Sequence, residues 1–222
     1  MNGGQPIIEA QNVVKTYGDL RVLKGIDLAI PASGITAIVG ASGAGKTTLL
    51  QILGTLLAPD LGSLIVRGTD VTRLKGKALA AFRNQHIGFI FQFHRLLPEF
   101  NAIENVMMPA WVAGQDDRKT RERAERLLRD LGLGDRLTHA PAALSGGEQQ
   151  RVAAARALMM EPAVIMADEP TGNLDSGNAQ ALFQLFQELR DREGATFVVV
   201  THNLDLASSA DQILNIHDGR IT

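Results

Sequence analysis

Apolar positions along the chain switch between two periods. Ile7 to Val14 is rich in β-branched residues and predicts a strand, and Asp27 to Ile30 predicts another, closed by the turn sequence Pro31-Ala32-Ser33-Gly34. Ile35-Thr36-Ala37-Ile38-Val39 is a short, nearly continuous apolar run of the kind a strand buried on both faces carries. From Lys46 to about Gly54 the apolar residues Leu49, Leu50, Ile52 and Leu53 fall at helical spacing. Ser63 to Val66 is a weaker strand, Lys77 to Arg83 a short helix and Ile87 to Phe91 a strand.

From about Gln92 to Pro162 the strand signal vanishes and helical patterns take over. The clearest is Arg118 to Leu131, with mixed charges on one side and Leu127, Leu128 and Leu131 on another. Strand character returns at Val164-Ile165-Met166-Ala167. Ser176 to Asp191 places Ala179, Leu182, Phe183, Phe186 and Leu189 on one helical face, a core stripe. Thr196 to Val200 and Gln212 to Ile216 are the last expected strands, and a turn follows at His217-Asp218-Gly219-Arg220. Strands alternating with helices predict an α/β fold with a mostly parallel sheet, interrupted by an all-helical piece.

Size and composition narrow the class. The 222 residues suffice for one substantial core with an insertion. A net charge of −2 argues against a broad nucleic-acid-binding face, so no nucleic-acid partner is expected. No apolar run reaches the roughly 18 residues of a membrane span. Met1 to Pro6 lacks a basic segment followed by an apolar one, so no secretory leader is expected. The absence of cysteine excludes disulfides and thiolate metal sites, and fits a reducing compartment.

The candidate chemistry begins where the buried run ends. Gly40-Ala41-Ser42-Gly43-Ala44-Gly45-Lys46-Thr47 has the glycines a chain needs to turn several N–H groups onto phosphate oxygens, at the start of a helix whose partial positive charge favours anions. Lys46 would reach the terminal phosphates and the Thr47 hydroxyl a magnesium ion. Asp168 ends a buried strand, where a carboxylate can hold that ion. Glu169 is either a second structural acid or the base that activates water. His202 follows another strand, and so emerges at the sheet edge where open α/β sheets bind ligands. Leu144-Ser145-Gly146-Gly147-Glu148-Gln149 opens a helix-like run through Leu158. It reads both as a capped helix start, with Ser145 and Glu148 in a capping box, and as a second anion-binding turn.

Together these motifs resemble the ATP-binding cassette (ABC) ATPases over essentially the whole length. The resemblance implies a P-loop core (residues 1–92 and 160–222) with an antiparallel β N-terminal subdomain, and an inserted helical subdomain (93–159). It implies ATP and Mg2+ as cofactors, with Thr47, Gln92 and Asp168 at the metal. Gly40 to Thr48, and Tyr17 as the adenine-stacking aromatic, would hold the nucleotide. Lys46, Gln92, Glu169 and His202 would form the catalytic set. Ser145, Gly146 and Gly147 would be the signature that closes on ATP held by a second copy, and Asp175 would belong to the loop that speaks across that dimer. Ala44 and Thr47 stand where serines are frequent in the family, which threatens neither backbone contact nor hydroxyl.

Phe91 to Phe100, followed by Ala102-Ile103-Glu104-Asn105-Val106, is similar to the lipoprotein-releasing branch of the family. The macrolide-exporter and cell-division branches are the alternatives. That implies a peripheral motor on the cytoplasmic face of a bacterial inner membrane, touching the bilayer only through integral permease subunits. Leu96, Leu97 and Phe100 would either pack locally or line a groove for a permease helix, rimmed by His94, Arg95 and Glu99.

Overall fold

The computed structural model describes residues 5–222. The opening Met1–Gly4, read above for a leader, lies outside them. Two sheets organise the chain. The first is antiparallel, in the order β2-β1-β4-β5, with β1 Ile8–Tyr17, β2 Leu20–Ile30, β4 Leu61–Val66 and β5 Thr69–Asp70. The second has the order β10-β9-β3-β8-β7-β6, with β3 Ile35–Val39, β6 Ile87–Phe91, β7 Val164–Asp168, β8 Phe197–Val200, β9 Gln212–His217 and β10 Arg220–Ile221. It is parallel throughout except for β10, which folds back on β9. The expected α/β architecture with a mostly parallel sheet and an antiparallel N-terminal layer is therefore present.

The apolar runs that predicted two-sided burial divide their side chains between two cores, since strand side chains alternate faces. Val164 and Met166 join one apolar cluster with Ile38, Val198 and Val200, under α1 (Lys46–Leu53) and the antiparallel sheet. Ile165 and Ala167 join the other with Ile35, Phe197 and Val199, under α5 (Gly146–Leu158) and α6 (Ser176–Glu193). The second cluster continues without a break through α3 (Ala102–Val112) and α4 (Arg118–Asp130). On α6 the expected stripe of Ala179, Leu182, Phe183, Phe186 and Leu189 is buried, and Phe186 stacks on Phe197 at 4.6 Å between ring centres.

Strand and helix ends differ from the periodic reading mainly at the antiparallel sheet. β1 runs on to Tyr17 and β2 starts at Leu20, where the two pair by backbone bonds through a mixture of apolar and polar residues that includes Lys15, Thr16, Leu20 and Arg21. Two-residue β5 and β10, the helices α2 (Gly76–His86) and α7 (Leu204–Ser208), and three single-turn 3-10 helices at Val71–Arg73, Gly134–Arg136 and Pro141–Ala143 make up the rest.

Candidate functional site

β3 delivers the chain into the glycine loop. Gly40 has φ 151°, and a Cβ placed there would stand 2.1 Å from the Ile216 carbonyl oxygen, so only glycine lets β3 and β9 close at this point. Gly45, at φ 105°, starts α1 with no side chain capping the helix, which leaves its first N–H groups to a ligand. Ala41, Ser42, Gly43 and Thr47 are exposed, while Ala44 and Gly45 are buried and Thr48 half-buried beneath the loop. Lys46 Nζ lies across the loop, donating to the carbonyls of Gly40 and Ala41 at 2.9 Å each.

β7 and β8 bring the acids and the histidine to this loop. Thr47 Oγ1 donates to Asp168 Oδ1 at 3.2 Å. Burial pushes the Asp168 carboxyl above the ordinary aspartate range, opposed by its bond to Thr47; the neighbouring Glu169 charge raises it further, and Lys46 and Arg95 draw it back. Glu169 sits at φ 48°, a strained backbone for a glutamate, fixed by its N–H donating to the Val200 carbonyl at 2.9 Å. Its Oε2 is 2.6 Å from His202 Nδ1. A carboxylate only accepts, so Nδ1 carries the proton and Nε2 of a neutral ring is left as an acceptor. Asp168, Glu169 and His202 thus meet at one sheet edge.

Gln92, one residue beyond β6, reaches this group from the side. Its amide nitrogen lies 2.8 Å from where Gly172 would carry a Cβ, in the loop that follows Glu169, and its carbonyl accepts from Asn173 Nδ2 at 3.1 Å. It contacts that loop and makes no bond to Thr47 or Asp168 among the described residues. Tyr17 is half-exposed at the end of β1, with Lys15 Nζ 5.8 Å from its ring centre.

Ser145, Gly146 and Gly147 stand apart. Ser145 Oγ accepts from the Glu148 N–H at 3.3 Å while Glu148 Oε2 accepts from the Ser145 N–H at 2.8 Å, completing the expected capping box. Arg136 Nε adds a bond to Glu148 Oε1 at 3.0 Å. These bonds, led by those from Ser145, lower the Glu148 carboxyl to about 2. Ser145 and Gly146 remain exposed. Among the described residues no side-chain hydrogen bond joins this turn to the glycine loop, Asp168, Glu169 or His202. Asp175 caps α6, and Asn178, to which it is bonded, lies beside the signature helix.

Sequence reasoning passed over several positioning residues. Gln150 is buried and donates to the Phe91 carbonyl at 3.0 Å, tying α5 to the strand before Gln92. Arg156 donates to the carbonyls of Arg95 and His94 at 2.8 Å each, and burial lowers its guanidinium. Arg156 sits on the helical stripe of α5, where it carries no motif signal, and Gln150 directly follows the Leu144–Gln149 stretch but finds its partner 59 residues away. The segment after Gln92 also packs differently from the groove reading. Leu96 joins the helical core and Phe100 meets Trp111 edge-on at 5.9 Å, whereas Leu97 is exposed. An open groove of about 490 Å³ lies next to it, lined by Leu56, Phe89, Phe91, Arg95, Met108 and Val112 among others.

A parallel sheet feeding a glycine loop into a helix, a carboxylate pair and histidine at its edge, and a helical arm ending in a Ser-Gly-Gly turn define an ATP-binding cassette. The family described as ABC transporter matches residues 23–172, and the chain belongs to it. It is 56% identical over 215 residues to the lipoprotein-releasing system ATP-binding protein LolD of Bacteroides thetaiotaomicron, spanning 97% of this chain and 99% of that one. Against LolD of Porphyromonas gingivalis it is 55% identical over 213 residues, 96% and 97% of the two chains. Among solved structures, the cassette MJ0796 in a dimeric post-hydrolysis state bound to ADP and Pi superposes with TM-score 0.88 at 37% identity, covering 96% of each chain. The chain is an ATP-hydrolysing cassette.

Proposed function

We propose that two copies of this chain form one motor, each completing the other's ATP site, and that the motor drives lipoprotein release through integral permease subunits at the cytoplasmic face of a bacterial inner membrane. The observation that carries this reading is the split site. Among the described residues the glycine loop, Asp168, Glu169 and His202 converge on one sheet edge, while the Ser145–Gly147 turn, a capped helix start, is hydrogen-bonded only within its own helical arm (residues 93–159). A second copy supplies what each half lacks. The dimeric MJ0796 cassette supports the pairing, and the LolD relatives, matched nearly end to end, support the cargo class.

In this reading ATP lies on the Gly40–Thr48 loop with its base against Tyr17. Lys46 leaves its two loop carbonyls for the terminal phosphates. A hydroxyl at 3.2 Å from a half-buried carboxylate is an oxygen pair suited to Mg2+, so Thr47 and Asp168 would hold that ion, with Gln92 as the further expected contact. The ion would neutralise charge developing on the phosphates. Glu169 accepts the proton of the attacking water, and His202, hydrogen-bonded to it, fixes its orientation and faces the γ-phosphate. Loss of that phosphate removes the contacts binding the two copies. The groove beside Arg95 is the surface a permease helix would enter.

Glu169→Gln tests the pairing. It is expected to lower kcat by about 10²–10⁴ and to trap a pair that elutes at twice the monomer mass when ATP and magnesium are present. A chain that stays monomeric under those conditions refutes it. For the cargo, the complex reconstituted in vesicles is expected to release a lipid-anchored protein only with ATP; nucleotide-independent or absent release counts against it.

A further inference from the structure

One side chain stands between the loop that follows Glu169 and the signature helix. The Asn178 side chain donates from Nδ2 to Asp175 Oδ2 at 2.6 Å, while its backbone N–H donates to Asp175 Oδ1 at 2.9 Å. With its nitrogen so committed, Asn178 Oδ1 faces the signature helix and stands 2.8 Å from where Gly147 would carry a Cβ. Asp175 in turn ends the loop that starts at Glu169. That loop is held by Gly172 N–H on the Glu169 carbonyl at 3.0 Å and Leu174 N–H on the Thr171 carbonyl at 3.1 Å. A short bonded path therefore runs from the hydrolytic base to Asn178, and across van der Waals contact to the signature turn.

We propose that Asn178 is a positioning residue that sets the Ser145–Gly147 turn from the loop bearing Glu169, so that the state of one copy's site is felt by the turn serving its neighbour. The inference rests on the paired-site reading and deepens it. The geometry is selective for asparagine. A carboxylate here would face Asp175 with like charge and lose the donor, and alanine would remove the oxygen that stands against Gly147. A backbone N–H from position 178 survives every substitution except proline, so the cap of α6 is retained and the helix stays intact.

The test separates what a chain does alone from what it does for its partner. Asn178→Asp and Asn178→Ala are prepared in the full chain beside the native protein. Nucleotide affinity is measured on dilute protein with a fluorescent ADP and magnesium, and ATPase activity is followed across protein concentration. The expected result is unchanged ADP affinity, within about twofold, with the protein concentration for half-maximal turnover raised about tenfold in Asn178→Ala and more in Asn178→Asp. Unaltered concentration dependence in both variants, or loss of ADP affinity equal to the loss of turnover, overturns the assignment. If native turnover itself does not depend on protein concentration, the paired-site reading fails instead. Should Asn178→Asp not fold, Asn178→Ala decides alone.

Discussion

Two glycines of the same loop are expected to fail in opposite ways. Gly40→Ala would press a methyl about 1 Å too close to the Ile216 carbonyl oxygen, which stands only 2.1 Å from the ideal Cβ position. Backbone strain at its positive φ adds about 1–3 kcal/mol, and forced packing about 1–3 kcal/mol. The sum is about 2–6 kcal/mol, which for a domain of this size lowers the unfolding midpoint by roughly 4–24 °C. Gly43, at φ 77°, has nothing within 4 Å of its Cβ position. Gly43→Ala therefore costs only about 1–2 kcal/mol of conformational strain, roughly 2–8 °C. The open space beside Gly43 is where phosphate oxygens would sit. Nucleotide at 100 times its Kd stabilises a folded state by about 2.7 kcal/mol, a rise of roughly 5–11 °C in the native chain. Thermal melts with and without ADP and magnesium read both quantities. Gly43→Ala should keep most of its midpoint and lose the ligand-induced rise. A Gly40→Ala chain melting within 2 °C of native, or a Gly43→Ala chain with its full ligand response, would refute the reasoning.

Other variants probe the charges of the site. Asp168→Asn should raise the thermal midpoint of the nucleotide-free chain at neutral pH while abolishing magnesium-dependent turnover. The folded-state carboxyl of Asp168 lies above its unfolded value, so its ionisation costs stability as pH rises through that range and afterwards; an unchanged or lower midpoint contradicts this. Glu148 has the opposite sign. Its folded value of about 2 lies below the unfolded one, so its stabilisation is full above about pH 4.5 and is lost as pH falls toward 2. Acid-unfolding curves of Glu148→Gln should be flatter in that window, and superimposable curves would exclude the contribution. Val112→Asp places a charge on an exposed wall of the groove beside Arg95. It should leave ATP hydrolysis by the isolated chain unchanged and remove its response to the permease; a normal response would move the docking surface elsewhere.

The sheet strands were legible wherever both faces are buried. Ile35–Val39 and Ile87–Phe91 fall where their continuous apolar runs begin and end. The ends of β1 and β2 were not, since Lys15, Thr16, Tyr17, Leu20 and Arg21 pair by backbone bonds that any residue can make. Strand order was also hidden, because β3 lies between β8 and β9, which follow it by more than 150 residues. Site residues with strong local grammar, from the glycine loop to the Ser145–Glu148 capping box, could be read directly. The contacts of Gln150, Arg156 and Asn178 could not. Each depends on two distant segments meeting, and none sits in a spacing that would mark it.

The separation of the glycine loop from the Ser145 turn has a genetic consequence. Within the proposed pair, a lesion at Lys46 spoils the pocket on its own copy, whereas a lesion at Ser145 spoils the pocket next door. Mixing the two defective kinds therefore concentrates both faults in one pocket and leaves the other fully native. Cells carrying both alleles would recover hydrolysis that neither allele supports alone, the mark of a machine whose damage is addressed to a neighbour.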